Sequence, residues 1–181
     1  KSMCKQLSKI PHNKNIICLF DRDNKKIIRK MDGDDSESYQ KWDNNVSSFC
    51  LPIPSHRENY NNISIEFYYS DEEIKTKDNN SRRLFFTNEI EENITKSLTK
   101  KSKHERELKV LDFSKNEEEY DKKIYDQNVS QIQDEEGNQI ALSKSAFAKN
   151  IYEEKEGFNN FEIKEFNKVF EVIKEILNTE D

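Results

Sequence analysis

Residues 13–26 read NKNIICLFDRDNKK, and their reading decides the fold: five consecutive apolar residues, Ile16 to Phe20, stop at two aspartates with only Arg22 between them. An unbroken apolar run of this length, bounded by polar segments, is the pattern of a β-strand covered on both faces, as found inside α/β sheets. The run predicts the central strand of a small, mostly parallel sheet, with Ile17 and Leu19 nearly inaccessible to water. Where such a strand ends the pleat is lost, and carboxylates two residues apart can converge on one cation. Asp21 and Asp23 are therefore candidate ligands for a hard divalent metal such as Mg²⁺, in a site type suited to phosphoryl-transfer chemistry. The plainer alternative is that both are turn and helix-cap residues.

Composition sets the frame around this stretch. A chain of 181 residues suits a single domain over 1–181 with a real core. With 33% hydrophobic and 36% charged residues, that core is small relative to the surface. Cys4, Cys18 and Cys50 are odd in number, and Cys18 sits inside the apolar run, so they read as buried thiols in a reducing compartment rather than a disulfide framework. No stretch approaches the roughly 20 apolar residues of a membrane span and no signal-peptide pattern opens the sequence, so no membrane partner and a cytoplasmic location are expected. The net charge of −6 argues against bulk attraction to nucleic acid, although a local basic cluster over residues 96–106 can still meet phosphates. The opening KSMCKQLSKI lacks an initiator Met and reads as the end of an amphipathic helix, so the chain is expected to be a C-terminal fragment of a longer polypeptide.

Beyond the apolar run, residues 24–45 read as an exposed acidic connection with room for a short helix. VSSFCLPI, residues 46–53, is β-prone until Pro52 and Pro54 stop it. ISIEFYY, residues 63–69, alternates in a way that suits either a strand or a short helix. Residues 87–131 are dominated by Lys, Glu, Asn and Ser, and are expected to face solvent or to be mobile. A turn follows at Glu136-Gly137-Asn138, then a helix capped by Ser143 that presents Phe147 and Ile151 on one face. Between Phe158 and Leu177 the apolar positions, among them Phe166, Val169, Phe170, Ile173 and Ile176, recur at helical spacing and predict a terminal amphipathic helix.

Taken in order, IICLFDRDN, SSFCLPIPSHRENYNNISIEFYYSDEEI, RRLFFTNEI and NQIALSKSAFAKNI resemble the Toprim nuclease region of ATP-dependent endonucleases of the overcoming-lysogenization-defect family, which includes antiphage relatives. In that family a Toprim domain follows an ABC-type ATPase. A glutamate on an early strand, an Asp-x-Asp strand end and later acidic residues bind divalent metals and cut DNA. The resemblance implies an α/β Toprim-like fold, helices flanking the sheet, and Mg²⁺- or Mn²⁺-dependent DNA cleavage. It makes Asp21 and Asp23 catalytic metal ligands and Glu66 a further metal ligand, with Glu72 and Glu73 as alternatives. Lys144 becomes a catalytic lysine supporting charge on the phosphoryl oxygens. The ordinary readings are a solvated charge on a half-buried strand for Glu66, and for Lys144 an exposed lysine in a first helical turn, where the helix dipole disfavours a cation.

Two features depart from the family pattern. The early glutamate has no counterpart upstream of Asp21. No G-x-x-x-x-G-K-[ST] is possible with glycine only at 33, 137 and 157, so ATP would act only through a separate ATPase region of the same polypeptide. The isolated chain is accordingly expected to hold an incomplete, inactive site. His12, His56 and His104 lack zinc-ligand spacing, and no cysteine arrangement supports nucleophilic catalysis. Arg82 and Arg83 are candidate DNA phosphate contacts, against a plain solvated pair. The rival to a nuclease is a non-catalytic regulatory or protein-interaction module of the same fold. Expected partners are DNA, the ATPase region, and a second copy or another protein.

Overall fold

From its N-terminus the chain forms α1 (Met3–Leu7), β1 (Ile16–Phe20), α2 (Lys25–Met31), β2 (Gln40–Trp42) and β3 (Val46–Cys50), then α3 (Asp71–Ile74), β4 (Phe85–Phe86), β5 (Ile90–Ile94), β6 (Arg106–Val110) and β7 (Ile124–Tyr125), and finally α4 (Lys144–Tyr152) and α5 (Asn167–Asn178). The computed structural model describes residues 3–32, 38–94, 106–111 and 123–178. It is mixed α/β, and it divides into two compact units, Lys1–Tyr68 with Glu162–Asp181, and Tyr69–Phe161.

In the first unit three strands pair in the order β1-β3-β2, with β1 parallel to β3 and β2 antiparallel to it. The apolar run is a strand, as its sequence predicts, but it lies at the edge and β3 is central. Cys18 is buried, Ile17 is half-buried and Leu19 is 45% exposed, whereas all five residues of β3 are buried. An edge strand has one hydrogen-bonded neighbour, and apolar character alone does not bring cover to both its faces. The polar signature of β3 is satisfied internally: the Ser48 hydroxyl donates to the Met31 carbonyl (2.8 Å) and accepts the Trp42 indole N–H (2.8 Å). Cys4, Cys18, Met31, Val46 and Cys50 form the core on that face, beneath α1 and α2. The β2–β3 connection turns through Asn44 and Asn45, both in the left-handed region that asparagine tolerates better than most residues.

The expectation of a mostly parallel sheet is corrected as well. The β4–β7 and β5–β6 pairs of the second unit are both antiparallel, so the β1–β3 pair is the one parallel strand pairing among the described residues. The second unit packs Phe85, Ile90, Leu108, Tyr125, Ile132 and Ala141 into one cluster. A second cluster packs Phe147, Phe158 and Phe161 with Tyr69, mostly edge to face, ring centroids 5.2–6.0 Å apart. Where described, residues 87–131 are therefore ordered into β5, β6 and β7, because a few apolar residues at strand spacing suffice once a partner strand covers them. The remainder of that segment lies outside the described residues.

Ser143 caps α4 as its sequence predicts, its hydroxyl accepting the Ala146 N–H (3.1 Å), and Phe147 is buried. Gly137 turns with φ of +84°, while Asp134 accepts the backbone N–H groups of Glu136 and Asn138. The C-terminal helix is shorter than its apolar pattern: α5 starts at Asn167, after a 3₁₀ turn at Lys164–Phe166, and buries Val169, Val172 and Ile176 while Phe170 and Leu177 stay exposed. No helix among the described residues is long and apolar enough to cross a membrane.

Candidate functional site

β1 and β3 run parallel, so the exits of both strands share one end of the sheet, which is where open α/β sheets place ligand sites. Asp21 and Asp23 leave that end with exposed side chains. The cap that either might have supplied to α2 is supplied by Asn24, whose side chain accepts the Lys26 N–H (2.9 Å). Helix capping therefore does not explain the aspartate pair.

Arg22 explains how the pair is held. Its Nε donates to the Leu51 carbonyl (2.6 Å), and its Nη2 bonds and pairs with the Asp32 carboxylate. The other oxygen of Asp32 accepts the Cys50 N–H (2.9 Å). The carbonyl of Arg22 accepts the Ile63 N–H (3.0 Å), in a single antiparallel bridge. The Arg22 side chain thus ties the end of β1 to the end of β3 and to the end of α2, and its backbone carbonyl ties the same point to the segment leading to Glu66. Sequence reasoning missed both Arg22 and Asp32. The signal for Arg22 was its place between two carboxylates, where a cation is expected to have a partner; Asp32 was hidden in the acidic run DGDD.

Glu66 lies three residues beyond that bridge, in a 3₁₀ turn at Ile65–Tyr68, which decides between the strand and the short helix that its periodicity allowed. It is buried, with the Ser64 hydroxyl donating to its Oε2, so the reading of a solvated surface charge is corrected. Tyr68 donates to the Pro52 carbonyl and stacks on Phe166, at 4.6 Å between ring centroids. Glu165 accepts the Ser55 N–H (2.6 Å), which holds its carboxyl below the usual carboxylate range, and the Lys168 ammonium donates to the Ile53 carbonyl (2.9 Å). The start of α5 is thereby fastened beside the segment that follows β3.

The remaining predicted residues belong to the second unit. Lys144 is the first residue of α4, and its backbone N–H donates to Asp126 Oδ1 (2.9 Å). Arg82 makes two bonds to Asp78 Oδ2 (3.0 and 2.7 Å). Arg83 pairs with both oxygens of buried Glu89 (3.0 and 2.8 Å) and lies 3.8 Å from the centre of the Phe85 ring. Each guanidinium has a structural carboxylate partner, and a contact to DNA phosphate would compete with it. Glu72 and Glu73 fall in α3, where Glu73 completes a capping box with Ser70.

For a metal, two exposed carboxylates suit a hard cation that keeps much of its water shell. Among the described residues no group of three or more His, Cys, Asp or Glu side chains is placed to hold one, so a cation at this strand end would rest on these two carboxylates alone.

The charges at this end of the sheet also act on the core. Burial, then the nearby Asp32 carboxylate, pushes the Cys50 thiol up to about 11, and burial together with the neighbouring Cys18 raises Cys4 to about 11. Both thiols hold their protons more tightly folded than unfolded, where the ordinary value is 9.0. Their contribution to stability is complete below pH of about 9 and is lost as pH rises toward about 11. The urea midpoint should therefore fall across that window, and Cys50→Ala should flatten the slope. An equally steep fall in the variant would remove Cys50 as a cause. Comparison of the chain with protein-family models, curated proteins and solved structures gave no match.

Proposed function

We propose that the chain is the Toprim-like region of a divalent-metal-dependent DNA endonuclease, acting in antiphage defence together with an ATPase region. One observation carries this reading: an Asp-x-Asp pair, not used for capping, leaves the shared carboxyl end of two parallel strands with both carboxylates exposed, while the residue between them is anchored inward. Asp21 and Asp23 are the residues to hold Mg²⁺ or Mn²⁺. Such an ion supplies an activated water and positive charge against the phosphate when bound. Arg22 and Asp32 fix where the two carboxylates stand. Glu66, buried and bonded by the Ser64 hydroxyl, follows three residues after the Arg22–Ile63 bridge and enters as a further ligand on the resemblance. Lys144 enters on the resemblance alone, as the cation that steadies the charged phosphoryl oxygens.

That no group of three or more metal-ligating side chains is found among the described residues favours a second reading, a Toprim-like module that regulates or docks a partner without cutting. Calorimetric titration of Mn²⁺ into the protein separates the two. Wild type should bind saturably, and Asp21→Asn or Asp23→Asn should weaken binding at least about tenfold while leaving the melting temperature unchanged. Equal binding by all three would make the pair a turn, and no binding by wild type would favour the non-catalytic module.

A further inference from the structure

A separate cavity of about 300 Å³ opens in the first unit between α1, α2 and β2, lined by Lys5, Ser8, Lys9, Lys30, Met31 and Trp42. Three lysines line it against one acidic residue, Asp43, on a chain whose net charge is −6. None of the three lysines has an ion-pair partner among the described residues. The floor is different in kind. Met31 is buried, and the Trp42 indole is fixed by its N–H bond to Ser48 (2.8 Å), whose own hydroxyl is anchored on the Met31 carbonyl. A fixed indole thus lines one cavity with three lysines that have no ion-pair partner among the described residues.

From this arrangement we infer that the cavity binds a nucleotide, its base against Trp42 and its phosphate between Lys5, Lys9 and Lys30. The volume lies at the lower end of small-molecule sites, which suits one nucleotide. Bases of any identity stack on aromatic rings, and lysines act as point charges for phosphate. The nucleotide can be free or the 5′-phosphorylated end of a single strand, since both carry the same base and phosphate. Trp42 pairs with Val46 at the amino end of β3, whereas Asp21 and Asp23 leave the carboxyl end of β1, so binding here is independent of the metal reading.

Trp42 is the chain's only tryptophan, so its fluorescence reports the cavity directly. The protein is titrated with dAMP, deoxyadenosine, inorganic phosphate and a 5′-phosphorylated oligothymidylate. Saturable quenching by dAMP is expected, with deoxyadenosine and phosphate each weaker by at least about fivefold, and with Lys5→Gln, Lys9→Gln and Lys30→Gln each weakening dAMP by about two- to fivefold. Raising the salt should weaken dAMP but not deoxyadenosine. Tighter binding of the oligonucleotide than of dAMP assigns the cavity to a strand end, and equal or weaker binding assigns it to the free nucleotide. Quenching that does not saturate, deoxyadenosine or phosphate binding as well as dAMP, or lysine variants matching wild type would each overturn the inference. The lysine side chains are exposed, so the Gln variants should keep the wild-type circular dichroism and test binding rather than folding.

Discussion

Phe49→Ala should destabilise the protein by about 3–5 kcal/mol, while Leu19→Ala, its register neighbour on the adjacent strand, should cost about 1 kcal/mol or less. The two residues are Cα partners in the parallel β1–β3 ladder. Phe49 is fully buried on the central strand, so truncation loses the transfer energy of the ring and leaves a cavity that a three-stranded sheet cannot easily close. Leu19 is 45% exposed on the edge strand, and water already reaches much of what an alanine would uncover. Urea unfolding of both variants, with unchanged denaturant slopes, gives the comparison. Equal losses would mean that the two strands are equally covered, and a larger loss at Leu19 that β1 rather than β3 is the covered strand.

Glu89→Ala should be comparably damaging, at about 3–5 kcal/mol, although it removes a charged residue from a highly charged protein. Glu89 is 3% exposed, takes both guanidinium bonds of Arg83, and accepts the Phe86 N–H (2.8 Å). Its removal takes the carboxylate from a largely buried cation against the Phe85 ring and an acceptor from the buried Phe86 N–H. Breaking one half of a buried pair costs more than removing both halves, so Arg83→Met combined with Glu89→Ala should recover part of the loss. Thermal and urea unfolding of the single and double variants check this. A near-neutral Glu89→Ala would show that the pair is as dispensable as a surface ion pair.

These two positions also indicate what the sequence could and could not reveal. The β1 strand, the Ser143 cap, the turn at Gly137 and an amphipathic C-terminal helix are local features, and local spacing was enough to find them. The ranking of β1 and β3 was not legible, because it depends on which strand gains a second neighbour. VSSFC, with two serines, reads as less apolar than IICLF, and only the Trp42–Ser48–Met31 bonds make Ser48 a core residue. For Arg82, Arg83 and Glu66 the plain reading of solvated charges failed for the same reason in reverse. A charged side chain in a sequence is read as facing water until its partner is seen, and although Glu89 is only six residues from Arg83 and Ser64 two from Glu66, the turns that bring them together have no period to read. The Asp-x-Asp pair was visible as a pair. That Asn24 takes the cap and Arg22 takes the anchor, leaving the aspartates exposed, required the fold.

The most direct measurement on the central claim is nicking of supercoiled plasmid by the full polypeptide in Mg²⁺ or Mn²⁺, with wild type, Asp21→Asn and Asp23→Asn compared at equal folded fraction. Asparagine keeps the size and hydrogen-bonding capacity of aspartate but not its charge, so a turn would survive the change and a metal ligand would not. Metal-dependent nicking by wild type and its loss by at least about a hundredfold in both variants, with DNA binding retained, is the predicted result. Full nicking by either variant, or none by wild type, would contradict it.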